Sequence, residues 1–230
     1  MRRVLYDLAG ADPSLRFSPY CWRAKLALAH KGLAVETVPW RFTDKDAIAF
    51  SGQGRVPVLV DGERTVSDSW AIATYLEEAY PDRPSLFGGP AAVAVTRFVN
   101  AFADTVLQAA IVKLIVSDIA GIIDDKDKAY FRQSREKRFG MALEEVTAGR
   151  EDCLAAFREQ LLPLRHTLSA QPYLAGAAPA YADYIVFGSF QWARCCSMFE
   201  LVASDDVVAD WRERMLDRFD GLARRAPCAA

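Results

Sequence analysis

The stretch "RFSPYCWRAKLALAHKG", residues 16–32, decides the fold that this sequence predicts. Ser18 suits a helix N-cap, Pro19 suits the first helical position, and Gly32 suits a helix end. Apolar side chains recur at helical spacing between them, so a helix is predicted over residues 19–31. Three basic residues of this helix lie outside its broad apolar face: Arg23, Lys25 and Lys31.

Short strands flank this helix on both sides. "VLYDL" (4–8) and "VETVPW" (35–40) are predicted strands, and with the helix they make a βαβ unit, which normally has parallel strands. "VPVLVDGERTVSDS" then predicts a hairpin around Asp61-Gly62, and "SWAIATYLEEAYP" (69–81) predicts a helix ended by proline. This order of elements is the thioredoxin-like arrangement.

Beyond this unit the pattern becomes helical. "PDRPSLFGGP" (81–90) is rich in proline and glycine and reads as a linker. Helical spacing follows over 91–118, over 127–170 as one or two helices, and over 206–224, while 182–198 predicts a helix buried on most sides. The predicted fold class is therefore an α/β thioredoxin-like domain (1–81), a linker (82–90) and an all-α domain (91–230).

Composition excludes several classes of protein. The 230 residues carry a formal net charge of −2, so no basic excess favours nucleic acid as a partner. Asp7 interrupts the apolar run near the N-terminus, and neither a signal peptide nor a membrane span is predicted. Five cysteines without an export signal favour reduced thiols in the cytoplasm, and the two histidines lack metal-ligand spacing, so no metal site is predicted.

The turn Ser18-Pro19-Tyr20-Cys21 is similar to a redox Cys-Pro-x-Cys turn whose first cysteine is a serine. A disulfide oxidoreductase, or a glutathione-dependent thiol reductase, needs a cysteine at Ser18, so that chemistry is disfavoured. Ser18 is then either an N-cap alone or also a hydroxyl donor. Cys21 falls one turn into the helix, where a core role is expected, and Tyr20 is a second hydroxyl near the same point.

The motifs together resemble the cytosolic glutathione transferases over nearly the whole chain. "FSPYCWRAKLALAHKGL" is similar to the catalytic turn of that family, and "GRVPVLVDG" is similar to its cis-proline segment. "VSDSWAIATYLEEAYPDRPSLF" is similar to its glutathione-carboxylate motif, and "YFRQSREKRFGMALEEVTAGRED" adds to the likeness. Within the family the turn and the 68–84 motif resemble the bacterial lignin β-etherases and related fungal serine-type enzymes.

The resemblance implies glutathione as a cosubstrate and assigns roles to residues. Ser18 would stabilise the glutathione thiolate, and the backbone of Val56-Pro57, with a cis bond, would pair with the cysteinyl unit. Asp68 and Ser69 would bind the γ-glutamyl end, since a carboxylate takes an ammonium and a helix start takes a carboxylate. Three further residues are either contacts of the glycyl carboxylate or solvated surface: Gln53, Arg55 and Arg41.

The all-α domain would contribute a pocket for the electrophile between the domains. Its candidate lining is aromatic, although aromatics at helical spacing are more often core: Phe98, Phe102, Tyr181, Trp192 and Trp211. Asp183 resembles the family's buried capping acid, but Ala180 stands where a Ser or Thr would complete a capping box, so Asp183 is expected to act structurally. His30, near a helix C-terminus, is expected to favour its charged form.

Two classes of function follow. The first is glutathione transfer to a hydrophobic, aromatic electrophile, with aryl-ether cleavage suggested by the β-etherase resemblance and roles in detoxification or aromatic metabolism. The alternative is a non-catalytic protein that binds glutathione or a hydrophobic ligand. A homodimer is implied by the resemblance alone.

Overall fold

A four-stranded mixed sheet with flanking helices forms the N-terminal domain of the computed structural model, which describes residues 2–229. Its strands and α-helices in chain order are β1 (Arg3–Leu8), α1 (Pro19–His30), β2 (Glu36–Trp40), β3 (Val58–Asp61), β4 (Arg64–Ser67) and α2 (Ser69–Ala79), with a 3-10 helix, Lys45–Ser51, between β2 and β3. The strand order is β2-β1-β3-β4, with β1 parallel to β2 and the other pairs antiparallel. The predicted thioredoxin-like arrangement is confirmed.

The C-terminal half is helical, as predicted. Its helices are α3 (Pro90–Phe102), α4 (Gln108–Ile122), α5 (Asp125–Phe139), α6 (Leu143–Thr147), α7 (Arg150–Glu159), α8 (Leu162–Ala170), α9 (Tyr181–Cys196), α10 (Val207–Leu216) and α11 (Arg218–Gly221). A π-helical turn, Ala103–Leu107, joins α3 to α4. The helix α9 is buried on nearly every side, as its composition predicted.

Two expectations about helix count were wrong. The segment 127–170 contains four helices rather than one or two, because Gly140 adopts a left-handed conformation that ends α5 and the chain turns again before α7 and α8. The predicted terminal helix breaks after α10, where Phe219 and Asp220 have positive φ angles. That turn returns the chain to α9, where the side chain of Gln191 donates to the carbonyl of Ala223 at 3.0 Å.

The helix α1 lies between the sheet and α9, and this explains why its basic residues are buried. Arg23, Lys25 and Lys31 have exposed fractions of 1%, 8% and 1%, so the expected charged face does not reach solvent. Each cation instead meets a carboxylate: Asp104 at 2.7 Å, Asp7 at 2.9 Å and Glu77 at 2.7 Å respectively. A helix with neighbours on both sides can keep charges only when they are paired.

The contact between α1 and α9 is close at one glycine. A Cβ atom placed on Gly188 would lie 2.7 Å from the carbonyl oxygen of Pro19 and 3.3 Å from the Cγ atom of Arg23. Because Pro19 follows Ser18 directly, this glycine lets α9 support the turn at the start of α1.

His30 also joins the two halves of the chain. Its Nε2 lies 3.0 Å from the carbonyl oxygen of Ser85, which can only accept, so Nε2 carries the proton and Nδ1 accepts from the hydroxyl of Tyr184 at 2.6 Å. Burial lowers the pKa of His30. The expectation that His30 favours its charged form was therefore wrong, because desolvation outweighs the helix C-terminus.

Asp183 takes the structural role that the sequence predicted. Its carboxylate accepts from the backbone N–H groups of Leu174 (2.8 Å), Ala175 (3.1 Å) and Ala180 (3.1 Å), and from the indole of Trp211 (3.0 Å). Burial raises the pKa of Asp183, and these four donors oppose the rise. The hydroxyl missing at Ala180 is compensated because the N–H of Asp183 donates to the Ala180 carbonyl at 3.0 Å.

Among residues 2–229, one helical run has the length and composition of a membrane span. It extends from Pro90 to Ile122, and 44% of its most apolar window is buried within the protein.

Candidate functional site

A cavity of about 520 Å³ lies between the sheet domain and the helical domain. Ser18, Pro19 and Tyr20 line it from the start of α1, and Arg55 and Val56 line it from the segment before β3. Its opposite wall comes from α4, α5 and α9. Among the sequence-predicted site residues, Ser18, Arg55 and Val56 therefore meet at one cavity.

Ser18 is the N-cap of α1. It is 3% exposed, and its Oγ accepts a hydrogen bond from the backbone N–H of Cys21 at 3.2 Å. The hydroxyl oxygen is thus used as an acceptor, while its proton is left to donate to another group. Capping and donation are compatible at this residue.

Cys21 and Tyr20 differ in what they offer the cavity. Burial raises the pKa of the Cys21 thiol well above its ordinary value, which suits the core role predicted for it. Tyr20 is 37% exposed, and burial and the charge of Asp104 raise the pKa of its phenol. The Tyr20 hydroxyl therefore stays protonated and remains a second donor at the cavity.

The backbone before β3 is free to pair with an extended peptide. The Val56-Pro57 bond is cis, and β3 begins only at Val58. Within residues 2–229, the N–H and carbonyl groups of Val56 make no hydrogen bond. Pro57 is buried behind the cavity lining, and its carbonyl accepts from the N–H of Asp68 at 3.2 Å, which places the start of α2 beside this segment.

Asp68 and Ser69 begin α2. One oxygen of Asp68, Oδ1, accepts from the N–H groups of Trp70 (2.8 Å) and Ala71 (3.0 Å), while Oδ2 accepts no hydrogen bond within residues 2–229. Asp68 is exposed and has a φ of 80°, a conformation that is rare for a residue other than glycine. Ser69 is buried, and its carbonyl accepts from the hydroxyl of Tyr181 at 2.6 Å.

The three candidate carboxylate contacts differ in placement. Arg55 is exposed at the cavity, whereas Gln53 is exposed but does not line it. Arg41 is engaged elsewhere, since it pairs with Asp124 at 3.1 Å and donates to the carbonyl of Ala11 at 3.0 Å. Because these contacts occupy its guanidinium, Arg41 is not retained as a candidate contact of the glycyl carboxylate.

The aromatic pocket residues were mostly misplaced by sequence reasoning. Trp192 lines the cavity, but Tyr181 and Trp211 are fully buried core, Phe98 is 73% exposed and Phe102 lies outside the lining. The apolar wall of the cavity comes instead from aromatic residues of the thioredoxin-like domain and from one face of α4 and α5. These residues are Phe17, Trp40, Phe42, Val112, Val116, Ile119 and Phe131.

Sequence reasoning also missed polar residues of the helical domain. Asp104 lines the cavity from the π-helical turn and accepts from Arg23 (2.7 Å), Asn100 (2.9 Å) and Gln108 (3.3 Å). Ser134, Arg135 and Arg138 line it from α5. The spacing of residues 131, 134, 135 and 138 places them on one face of a helix, and that pattern was the available signal.

A small mixed sheet domain joined to an all-helical domain, with a cavity between them at the start of the first helix, defines the class of protein. The model for "Glutathione S-transferase, N-terminal domain" matches residues 13–84, and the model for "Glutathione S-transferase, C-terminal domain" matches residues 94–221. The second match alone covers more than half of the chain. This chain belongs to the glutathione S-transferase family.

Solved structures and curated relatives agree with this family. Glutathione transferase GSTFuA3 from Phanerochaete chrysosporium superposes with a TM-score of 0.84 at 25% identity, covering 96% of this chain and 97% of that one. A glutathione S-transferase of Ceriporiopsis subvermispora, solved in complex with glutathione, shares the fold at 23% identity, with a TM-score of 0.77 and coverage of 98% and 95%. Glutathione S-transferase Z1 of Arabidopsis thaliana is 42% identical over 69 residues, which is 28% of this chain. The match spans only 31% of the length of that relative.

Proposed function

We propose that this protein is a glutathione transferase in which Ser18 stabilises the thiolate of bound glutathione for attack on a hydrophobic, aromatic electrophile. One observation carries the proposal. Ser18 lines the inter-domain cavity, and its hydroxyl accepts the Cys21 N–H but donates no hydrogen bond within residues 2–229, which leaves its proton available to a ligand. Bound glutathione supplies the nucleophilic sulfur, and the residues of this chain hold and ionise it.

Residues of the cavity and of the adjacent start of α2 suit different parts of glutathione. The free N–H and carbonyl of Val56 suit the cysteinyl backbone, which would pair there as an added strand. The free Oδ2 of Asp68 suits the γ-glutamyl ammonium, and Ser69 is the remaining donor for its carboxylate because Asp68 already caps Trp70 and Ala71. At the other end, Arg55 suits the glycyl carboxylate.

The available interactions are large enough to ionise the thiol. A free thiol has a pKa of about 8.5, and lowering it by about two units requires roughly 2.7 kcal/mol. A hydrogen bond to a charged group contributes about 1.5–3 kcal/mol, and a helix N-terminus adds about 0.3–1 kcal/mol. One hydroxyl at the start of the 12-residue helix α1 therefore suffices without a full positive charge.

The apolar wall of the cavity favours an aromatic second substrate. In aryl-ether cleavage, the thiolate sulfur would form a bond to the ether carbon while the carbon–oxygen bond breaks. The oxygen would leave with the electron pair as a phenolate and then take a proton. The likeness of the 16–32 and 68–84 segments to β-etherases supports this subclass.

The proposal is tested by titrating bound glutathione through the ultraviolet absorbance of its thiolate. In the wild-type protein we expect ionisation well below pH 8.5, a shift that Ser18→Ala abolishes and Ser18→Thr retains in part. Tyr20→Phe serves as the matched control, because it removes the other cavity hydroxyl. An unchanged titration in Ser18→Ala, with the shift lost in Tyr20→Phe, would move the role to Tyr20.

The alternative is a protein that binds glutathione or a hydrophobic ligand without catalysis. Turnover of a generic aryl halide separates the two, since a binder lowers no barrier. We expect turnover that falls with Ser18→Ala. Binding without turnover would favour the alternative.

We also propose that the protein is a cytoplasmic homodimer. Val95 and Phe98 on α3 are 65% and 73% exposed, and exposed apolar side chains of this size favour a partner surface. Sedimentation of the wild type against Phe98→Asp tests this, with the variant expected to shift toward monomer.

A further inference from the structure

The inter-domain cavity has an excess of positive charge. Four basic side chains line it, and the one acidic residue in its lining, Asp104, is paired with Arg23 at 2.7 Å. None of the four forms an ion pair with a carboxylate in the described part of the chain. These lining cations are Lys45, Arg55, Arg135 and Arg138.

Arg135 is half-buried and packs against two aromatic rings. Its guanidinium lies 4.7 Å from the ring centroid of Phe131 and 5.3 Å from that of Phe42, and it donates to the hydroxyl of Ser134 at 2.8 Å. Burial lowers the pKa of Arg135, and the charges of Arg138 and Arg55 add to that effect. An arginine stays protonated nonetheless, so Arg135 is a half-buried charge without a counter-charge, which is costly.

Glutathione accounts for only part of this charge. It has two carboxylates: one belongs at the start of α2 beside Ser69, and the other belongs near Arg55, at the far end of the segment that carries Val56. Lys45 is partly engaged, since its ammonium donates to the carbonyl of Gly54 at 2.7 Å. Arg135 and Arg138, on the helical domain, remain without an anion.

We propose that Arg135 and Arg138 form an anion subsite for the second substrate, which is an aromatic electrophile carrying a carboxylate. The inference rests on the proposed function and names its substrate class. The aromatic ring would lie on the apolar wall of Phe42, Phe131 and Val112, and the carboxylate would meet the two guanidinium groups one helical turn apart. A positioning role of this kind acts on the electrophile and leaves the ionisation of glutathione unchanged.

The test uses two electrophiles, a chlorodinitrobenzoate and its methyl ester, because esterification removes the negative charge. In both reactions the thiolate sulfur bonds to the ring carbon, and chloride leaves with the electron pair of the carbon–chlorine bond. The variants are Arg135→Gln and Arg138→Gln. Lys137→Gln is the matched control, because it removes a charge from an exposed site on α5 that does not line the cavity.

We expect kcat/KM for the carboxylate to fall roughly 10- to 100-fold in Arg135→Gln, mainly through KM, with the ester little changed. Arg138→Gln should show a smaller fall in the same direction, and Lys137→Gln should show neither. Because Arg138 is exposed, its variant carries the test if Arg135→Gln does not fold. Equal losses for the carboxylate and the ester in Arg135→Gln would overturn the subsite.

Equilibrium binding shows whether Arg135 binds the carboxylate of the second substrate or the glycyl carboxylate of glutathione. Calorimetry with glutathione should give the same Kd in Arg135→Gln and in the wild type; a loss there would assign Arg135 to the glycyl carboxylate and refute the proposal. Unreactive dinitrobenzoate should bind the glutathione-loaded wild type and bind Arg135→Gln at least 10-fold more weakly. If neither electrophile is turned over but this difference holds, the transferase function fails and the anion subsite stands.

Discussion

Replacing Gly188 by alanine has two opposing effects on the free energy of unfolding, and one of them arises at the contact between α1 and α9. Alanine is favoured over glycine within a helix by about 0.8–1 kcal/mol. The added Cβ, however, would lie 2.7 Å from the carbonyl oxygen of Pro19, a distance at which the backbone must shift. Overpacking of this kind costs about 1–3 kcal/mol. The net expectation is destabilisation by about 0–2 kcal/mol.

Gly121→Ala isolates the clash from the helix propensity. Gly121 lies near the end of α4, and a Cβ atom there would meet nothing within 4 Å. This variant should gain the same propensity term of about 0.8–1 kcal/mol. The free energy of unfolding should therefore differ between the two variants by about 1–3 kcal/mol, the cost of the contact alone.

Urea unfolding at equilibrium measures both variants, with midpoints compared at equal m-values. The thiolate titration gives a second readout, because a displaced Pro19 moves Ser18. We expect Gly188→Ala to raise the pKa of bound glutathione and Gly121→Ala to leave it unchanged. If Gly188→Ala is as stabilising as Gly121→Ala, the close approach of α9 to the turn at the start of α1 is refuted.

Two further variants test buried polar contacts between segments. Asp183→Asn turns one acceptor oxygen into a donor that faces N–H groups, so urea unfolding should show a loss of about 2–4 kcal/mol, with exposed Asp205→Asn near zero. His30 has a pKa below its ordinary 6.5, so the unfolded chain binds a proton that the folded chain does not. Its contribution to stability is complete above pH 6.5 and is lost as the pH falls toward the folded pKa. Unfolding free energies from pH 7.5 to about 5 should therefore fall more steeply in the wild type than in His30→Gln, and parallel slopes would contradict the neutral bridge to Tyr184.

Local signals along the chain predicted much of the architecture. The cap, proline and glycine around α1, and the hairpin turn before α2, are choices of backbone conformation made within a few residues. For that reason, the structure contains both α1 and the hairpin where they were predicted. The helix count over 127–170 failed because that segment has continuous helical periodicity, and the turn at Gly140 interrupts it without a proline.

The candidate site divides in the same way. Capping sets the local geometry around Ser18, and proline sets it around Val56. The sequence motifs could therefore predict both residues, and both line the cavity. The aromatic residues of the pocket could not be predicted, because helical spacing alone does not show which apolar face packs in the core and which lines a cavity. Trp211 and Trp192 share residue type and helical context, yet only Trp192 lines the cavity.

The sequence by itself determined a thioredoxin-like unit, a helical domain and a serine at the start of the first helix. These depend on periodicity, caps and turns, which act over short distances. Only the tertiary structure decided that α1 is covered on both sides, that Arg23 is buried against Asp104, and that Arg135 faces the cavity without a counter-charge. The reason is physical: burial and electrostatic pairing depend on which segments meet in space, and residues 80 or more positions apart along the chain meet only in the fold.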